Sequence, residues 1–226
     1  MIPLAALLLL GLAFFAYTVR YYHADDAALG AMESDDRVTV TKTDFGWFFD
    51  GPAADSALVF YTGGKVEEKA YAPLLRRLAE NGVDVCLLKS PFHLAFFGMN
   101  RADQVLDEYD YENRYIGGHS LGGVVAAAYA ANHDLDGVIL LAAYPVRELD
   151  EPVLLIYGTE DGVLNRERVT EAGRYGRIEE AEIEGGNHAG FGSYGAQAGD
   201  HAPKISAERQ QEETVTIITD WLSGLA

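Results

Sequence analysis

Apolar residues in this chain gather into short continuous runs separated by stretches of helical spacing. Residues 57–61 (ALVFY), 83–88 (VDVCLL), 137–142 (GVILLA) and 153–157 (VLLIY) are such runs. Their length and polar borders predict strands buried on both faces of a sheet. Residues 115–118 and 177–183 predict two more strands. Residues 37–42 alternate polar and β-branched positions, as an edge strand does, and 45–49 predict a partner that closes a hairpin with it. Between the strands, residues 67–81 place Ala70, Leu74, Leu75 and Leu78 at helical spacing, closed by Gly82. Residues 94–109, 121–132, 164–172 and 206–222 predict further helices; the second is nearly uncharged and therefore buried. Strands alternating with helices imply a mainly parallel sheet, right-handed crossovers and helices on both faces.

The first residues differ from the rest. Residues 2–19 carry no side chain charged at neutral pH, and Arg20, Tyr21, Tyr22 and His23 follow. Eighteen such residues rise ~27 Å as a helix, near the ~30 Å of a hydrocarbon core. An apolar run ended by an aromatic and basic cluster predicts a membrane anchor over 1–23. A cleaved signal peptide, which would give a secreted protein, is the alternative. It is disfavoured by the missing basic residue ahead of the run and by the run's length. Residues 24–36 are acidic and Ala-rich and predict a linker to a domain over 37–226.

Composition narrows the function. The chain has 226 residues, with 17 Lys and Arg against 35 Asp and Glu, a formal charge of −18. Such a surface repels phosphate backbones, so nucleic acid is not an expected partner. One cysteine, Cys86, lies inside an apolar run, so a cysteine-rich metal site is not expected and Cys86 reads as core.

The strongest local signal is GGHSLGG at 117–123, between a short strand and an apolar helix. A strand that turns sharply into a helix forces the apex residue, Ser120, into a strained backbone and lifts its hydroxyl clear of the sheet. Gly118 and Gly122 are needed where side chains would collide. The helix points its amino terminus at the hydroxyl, and the Leu121 amide there can face a developing oxyanion. A serine hydroxyl needs a base. Of the six histidines, His188 follows the last strand and so shares the carboxyl edge of the sheet with Ser120. The carboxylate that would steady it follows strand 153–157, in Gly-Thr-Glu-Asp-Gly; Asp161 fits better than Glu160, whose longer arm must fold back. A second oxyanion donor is expected after strand 57–61, from the amide of Gly64 or Lys65.

The order Ser120, Asp161, His188 is that of α/β-hydrolases. The stretches at 61–82 (YTGGKVEEKAYAPLLRRLAENG), 87–97 (LLKSPFHLAFF), 117–123, 157–163 (YGTEDGV) and 185–195 (GGNHAGFGSYG) resemble small hydrolases of the dienelactone-hydrolase-like group, in particular bacterial membrane-tethered serine hydrolases. The resemblance implies an α/β-hydrolase fold with Ser120 as nucleophile, Asp161 as acid, His188 as base, and no cofactor or metal. True dienelactone hydrolases often carry a cysteine nucleophile; serine here argues for ordinary ester chemistry.

Residues 142–151 leave no room for a cap, so the site is expected to be shallow and open. Phe92, Phe96, Phe97 and Phe191 could offer apolar walls and His93 a donor to a substrate oxygen. Near a membrane, lipid-like esters suit such a site. An amidase or peptidase on the same triad, or a catalytically silent tethered binding domain, are the rival readings.

Overall fold

The computed structural model describes residues 4–52 and 54–225. Two helices, α1 (Leu4–Thr18) and α2 (Asp26–Gly30), precede the strands β1 (Thr39–Lys42), β2 (Gly46–Asp50) and β3 (Ser56–Tyr61). Then come α3 (Ala72–Glu80), β4 (Val83–Leu88), α4 (Arg101–Glu108), β5 (Asn113–His119), α5 (Leu121–Ala130) and β6 (Gly137–Leu141). The chain closes with β7 (Val153–Gly158), α6 (Arg166–Glu171), β8 (Ile178–Ile183) and α7 (Ala207–Ser223).

The strands form one eight-stranded sheet in the order β1-β2-β4-β3-β5-β6-β7-β8. β1 with β2 and β2 with β4 run antiparallel, and every other neighbouring pair is parallel. Each expected strand is present, including the edge hairpin. From β3 the chain crosses to one side to make β4, then returns to lay β5 on the other side. That reversal opens a crevice beyond the carboxyl ends of β3 and β5.

Successive residues of the inner strands enter opposite layers. Leu58, Phe60, Val85 and Leu87 pack in one core with Leu74 and Leu75 of α3 and Ile218 and Trp221 of α7. Val59, Tyr61, Cys86 and Leu88 pack in the other with Val105 of α4 and Val125 and Ala126 of α5. Strands buried on both faces read as continuous apolar runs for this reason. Cys86 is core, and burial, aided by Asp84 and Glu108, pushes its thiol pKa up. No helix or strand lies between β6 and β7, so that connection carries no cap.

Three regions differ from the expectations. The helix expected over 94–109 is instead a 3-10 turn, Ala95–Gly98, a turn at Met99 and Asn100, and then α4. Just ahead of it a further 3-10 turn, Pro91–His93, holds Phe92 and His93 at φ of 59° and 54°, a left-handed conformation that keeps a helix from starting any earlier. The helix expected over 67–81 opens as a 3-10 turn, Glu68–Tyr71, and becomes α-helical at Ala72. Pro73 sits in the first turn of α3, where its missing N–H costs nothing.

The third difference is the segment expected to be a linker. Asp25 caps α2 by accepting the Ala28 amide at 2.9 Å, and Ala28 is fully buried. Tyr22 donates its amide to Lys65 and accepts that of Glu67. Arg76 of α3 donates to the carbonyls of Ala31 at 3.2 Å and Glu33 at 2.6 Å and pairs with Asp35 at 2.6 Å. The segment is fastened to the domain along its length rather than hanging from it. α1 spans 15 residues, a rise of ~22 Å. Residues 1–3 of the expected anchor lie outside the described residues. Among the described residues no helix is long and apolar enough to cross a membrane.

Candidate active site

The site is built at the crevice beyond β3 and β5. Ser120, between β5 and α5, has φ 53° and ψ −121°, strained for a residue with a side chain. Its amide donates to the Leu141 carbonyl at 2.9 Å, pinning the turn to the end of β6. The bend leaves no room around it. A Cβ on Gly122 would lie 2.3 Å from the Tyr61 carbonyl oxygen, and one on Gly118 2.6 Å from the same atom. Backbone of β3 cannot yield as a side chain can. Gly122→Ala is therefore expected to destabilise the fold by about 3 kcal/mol or more, the upper end of overpacking costs. Denaturant unfolding checks this.

His188 follows β8 and Asp161 follows β7. Gly158 and Ile183 are partners in register, so the two loops emerge side by side. His188 Nδ1 lies 2.9 Å from Asp161 Oδ2, and both side chains are buried. Asp161 Oδ1 accepts the amides of Val163 and Leu164, each at 2.8 Å. Burial pushes the Asp161 pKa up, but His188 and these two amides outweigh it and carry the carboxyl below its ordinary value. Glu160 points elsewhere: its Oε1 sits 2.6 Å from Lys204 Nζ. Of the two acids after β7, Asp161 is the one in contact with His188. His188 Nε2 is buried with no hydrogen-bond partner among the described residues, and Ser120 Oγ does not bond to it.

The two loops are braced by a residue the sequence did not single out. Asp200 accepts the Gly162 amide at 3.0 Å and the Ala189 amide at 2.9 Å, tying the acid loop to the histidine loop. Its signal is weak, since it is one acid among 35 in the chain.

Two amides beside the nucleophile have no acceptor among the described residues. That of Leu121 opens α5, where the first N–H groups have no intrahelical partner. Of the two alternatives after β3, Lys65 is corrected: its amide donates to the His93 carbonyl at 2.7 Å. Gly64 is left with a free amide, and a Cβ there would sit 3.2 Å from Leu121 Cδ2, so the two amide-bearing residues adjoin.

His119 joins these parts. It is fully buried, with its ring centroid 4.6 Å from that of His188. The Tyr71 hydroxyl accepts the Gly63 amide at 3.0 Å and lies 2.8 Å from His119 Nδ1. Burial, and then the neighbouring His188, hold the His119 pKa well below its ordinary value, so the ring is neutral. The hydroxyl proton therefore points to Nδ1. Tyr71→Phe orphans the Gly63 amide and Nδ1 together. It is expected to cost about 2 kcal/mol, the scale for unsatisfied buried groups, read as a lowered Tm.

The expected substrate walls divide. Phe191 is fully buried in the core and cannot line an open site, which corrects that expectation. The His93 ring is stacked on Tyr21 at 3.8 Å. Phe92 is half-exposed, with its ring against Phe14 of α1 at 5.2 Å. Among the described residues no group of three or more His, Cys, Asp or Glu could hold a metal ion.

A doubly wound sheet with a strained serine at its crevice and a buried histidine–aspartate pair beside it defines the α/β class of hydrolases. The profile of the Alpha/beta hydrolase family matches residues 57–212, and the chain belongs to that family. A search of curated protein sequences gives no match. Solved structures share the fold at low identity. Est1E from Butyrivibrio proteoclasticus is 15% identical with a TM-score of 0.61, over 83% of this chain and 100% of that one. An esterase from Pyrococcus furiosus is 13% identical with a TM-score of 0.60, over 85% and 91%. A ferulic acid esterase from Streptomyces cinnamoneus is 19% identical with a TM-score of 0.59, over 74% and 66%.

Proposed function

We propose that the chain is a serine hydrolase of carboxylic esters, of the small, dienelactone-hydrolase-like kind, acting through an acyl-enzyme. The observation that carries this reading is the buried Asp161–His188 pair, whose unpaired Nε2 lies at the sheet edge that also bears Ser120. Nε2 takes the Ser120 proton as Oγ attacks the ester carbonyl. Asp161 fixes the tautomer that leaves Nε2 free to accept, and stabilises the cation that forms. The amides of Leu121 and Gly64 hold the oxyanion. His188 then gives its proton to the leaving alcohol, and water releases the acid by the same steps reversed. The Ser120–His188 bond is expected to close when substrate fills the crevice, as apo catalytic bonds commonly do. Solved neighbours that bear the word esterase support the choice of ester.

A fluorophosphonate probe tests the assignment. The folded protein should be labelled at Ser120, and Ser120→Ala should lose both the label and hydrolysis of an aryl acetate. A folded protein that resists the probe, or a Ser120→Ala variant labelled equally, overturns the reading. Turnover of the matching anilide at a comparable rate would move the assignment to an amidase.

A further inference from the structure

α1 and the loop beside the nucleophile form one continuous apolar face. Residues 2–19 are uncharged, and Leu8, Leu9, Leu10, Leu12 and Phe15 each stand more than half exposed. A helix apolar on every side needs a cover. At its carboxyl end the Phe14 ring meets Phe92 at 5.2 Å and Phe97 at 5.9 Å, edge to face. Phe97 in turn meets Phe96 at 5.6 Å. Phe92, Phe96 and Phe97 are 50%, 66% and 48% exposed, in a loop that packs three large apolar side chains outward. The strained φ values of Phe92 and His93 hold that outward turn. The same loop places Leu94 beside Gly64 and the His93 carbonyl on Lys65, so it borders the oxyanion amides.

Charge marks the same face. A groove of about 700 Å³ runs beside Phe92 and Tyr21 and is lined by Lys42, Lys69, Lys89 and Arg101. Its acids are Asp44, Glu67 and Glu68, so four cations meet three carboxylates and the lining carries a net charge of +1. Glu68 pairs with Lys89 at 3.3 Å, and Glu67 accepts the Ala24 amide at 3.1 Å. In a chain with twice as many acids as bases, this local excess of cations adjoins the exposed aromatics.

We propose that this face docks on an anionic lipid bilayer. α1 and the rings of Phe92, Phe96 and Phe97 enter the apolar and interfacial layers, and the groove cations meet phosphate headgroups. The crevice at Gly64 and Leu94 then receives acyl esters from the lipid phase; that choice of substrate rests on the hydrolase reading, while the docking does not.

The test uses the full chain reconstituted in vesicles of phosphatidylcholine, alone or mixed with phosphatidylglycerol. An environment-sensitive fluorophore is placed at Phe96→Cys or, as control, at Asp220→Cys. Native Cys86 is buried and stays unlabelled. Asp220 is exposed near the end of α7, where Trp221 packs at the start of β6, the edge opposite the site. In mixed vesicles, emission at position 96 should exceed that at 220 several-fold. Lys42→Gln and Lys69→Gln should each lower the ratio of docked to undocked loops roughly fivefold. Equal emission at the two positions in both vesicle types overturns the proposal. So does emission at 96 that rises with protein concentration in the absence of lipid and is unchanged by vesicles, which would make a second copy the cover. Fluorophosphonate labelling of the same samples separates the two readings: labelled Ser120 without an emission change defeats docking alone, and an emission change without labelling defeats the hydrolase alone.

Discussion

His188→Gln should lower kcat for an aryl acetate by on the order of 10⁶, the scale seen when a catalytic histidine is removed from a serine triad. Glutamine nearly fills the volume and its amide can still donate to Asp161, so the buried carboxylate keeps a partner and the fold survives. What it lacks is a basic nitrogen. The neutral amide cannot take the Ser120 proton, and the hydroxyl remains the weak nucleophile that a free serine is. Steady-state kinetics beside a circular dichroism spectrum would show this. Turnover near the unaltered rate with a native spectrum would remove His188 as the base. His119, though its ring adjoins that of His188, cannot substitute for it. It is buried, neutral and already engaged by Tyr71.

Asp161→Asn should cost about 10⁴ in kcat, because an amide in that position favours the wrong tautomer of the histidine. Glu160→Gln is the matched control, because that carboxylate pairs with Lys204 at the surface and its loss should leave kcat near the unaltered value. The same aspartate also shapes acid stability. Its folded pKa lies below the unfolded value of 3.8, so its contribution is complete above that value. The contribution is lost as pH falls from there through the lowered folded value. Asp161→Asn should therefore flatten the acid limb of a stability–pH curve in that window, which denaturant midpoints at a series of pH values would reveal.

The sheet was legible because buried parallel strands write themselves as unbroken apolar runs, and the elbow because its glycines are local in sequence. Ser120, Asp161 and His188 could be ordered along one edge from the strands that precede them. The parts that were not legible depend on contacts between distant residues. Nothing near Tyr71 announces that its hydroxyl joins Gly63 to His119, 48 residues away. Choosing between Gly64 and Lys65 required knowing that the His93 carbonyl takes the Lys65 amide. Phe191 was one of four phenylalanines expected to wall the site, yet its loop turns it into the core. The left-handed backbone ahead of the Ala95–Gly98 turn falls on Phe92 and His93, which are not glycines, and no propensity predicts it.

The clasp between the early segment and the domain sets where the protein can be cut. A version trimmed to begin at Arg37 would strip Tyr22, Ala24, Ala31 and Met32 from the core that holds α3, remove buried Ala28, and leave the Arg76 guanidinium with Glu80 alone of its four partners. Its newly bared apolar strip invites aggregation. A fragment that starts at Tyr21, just past α1, keeps every one of those contacts and is the shorter form to express.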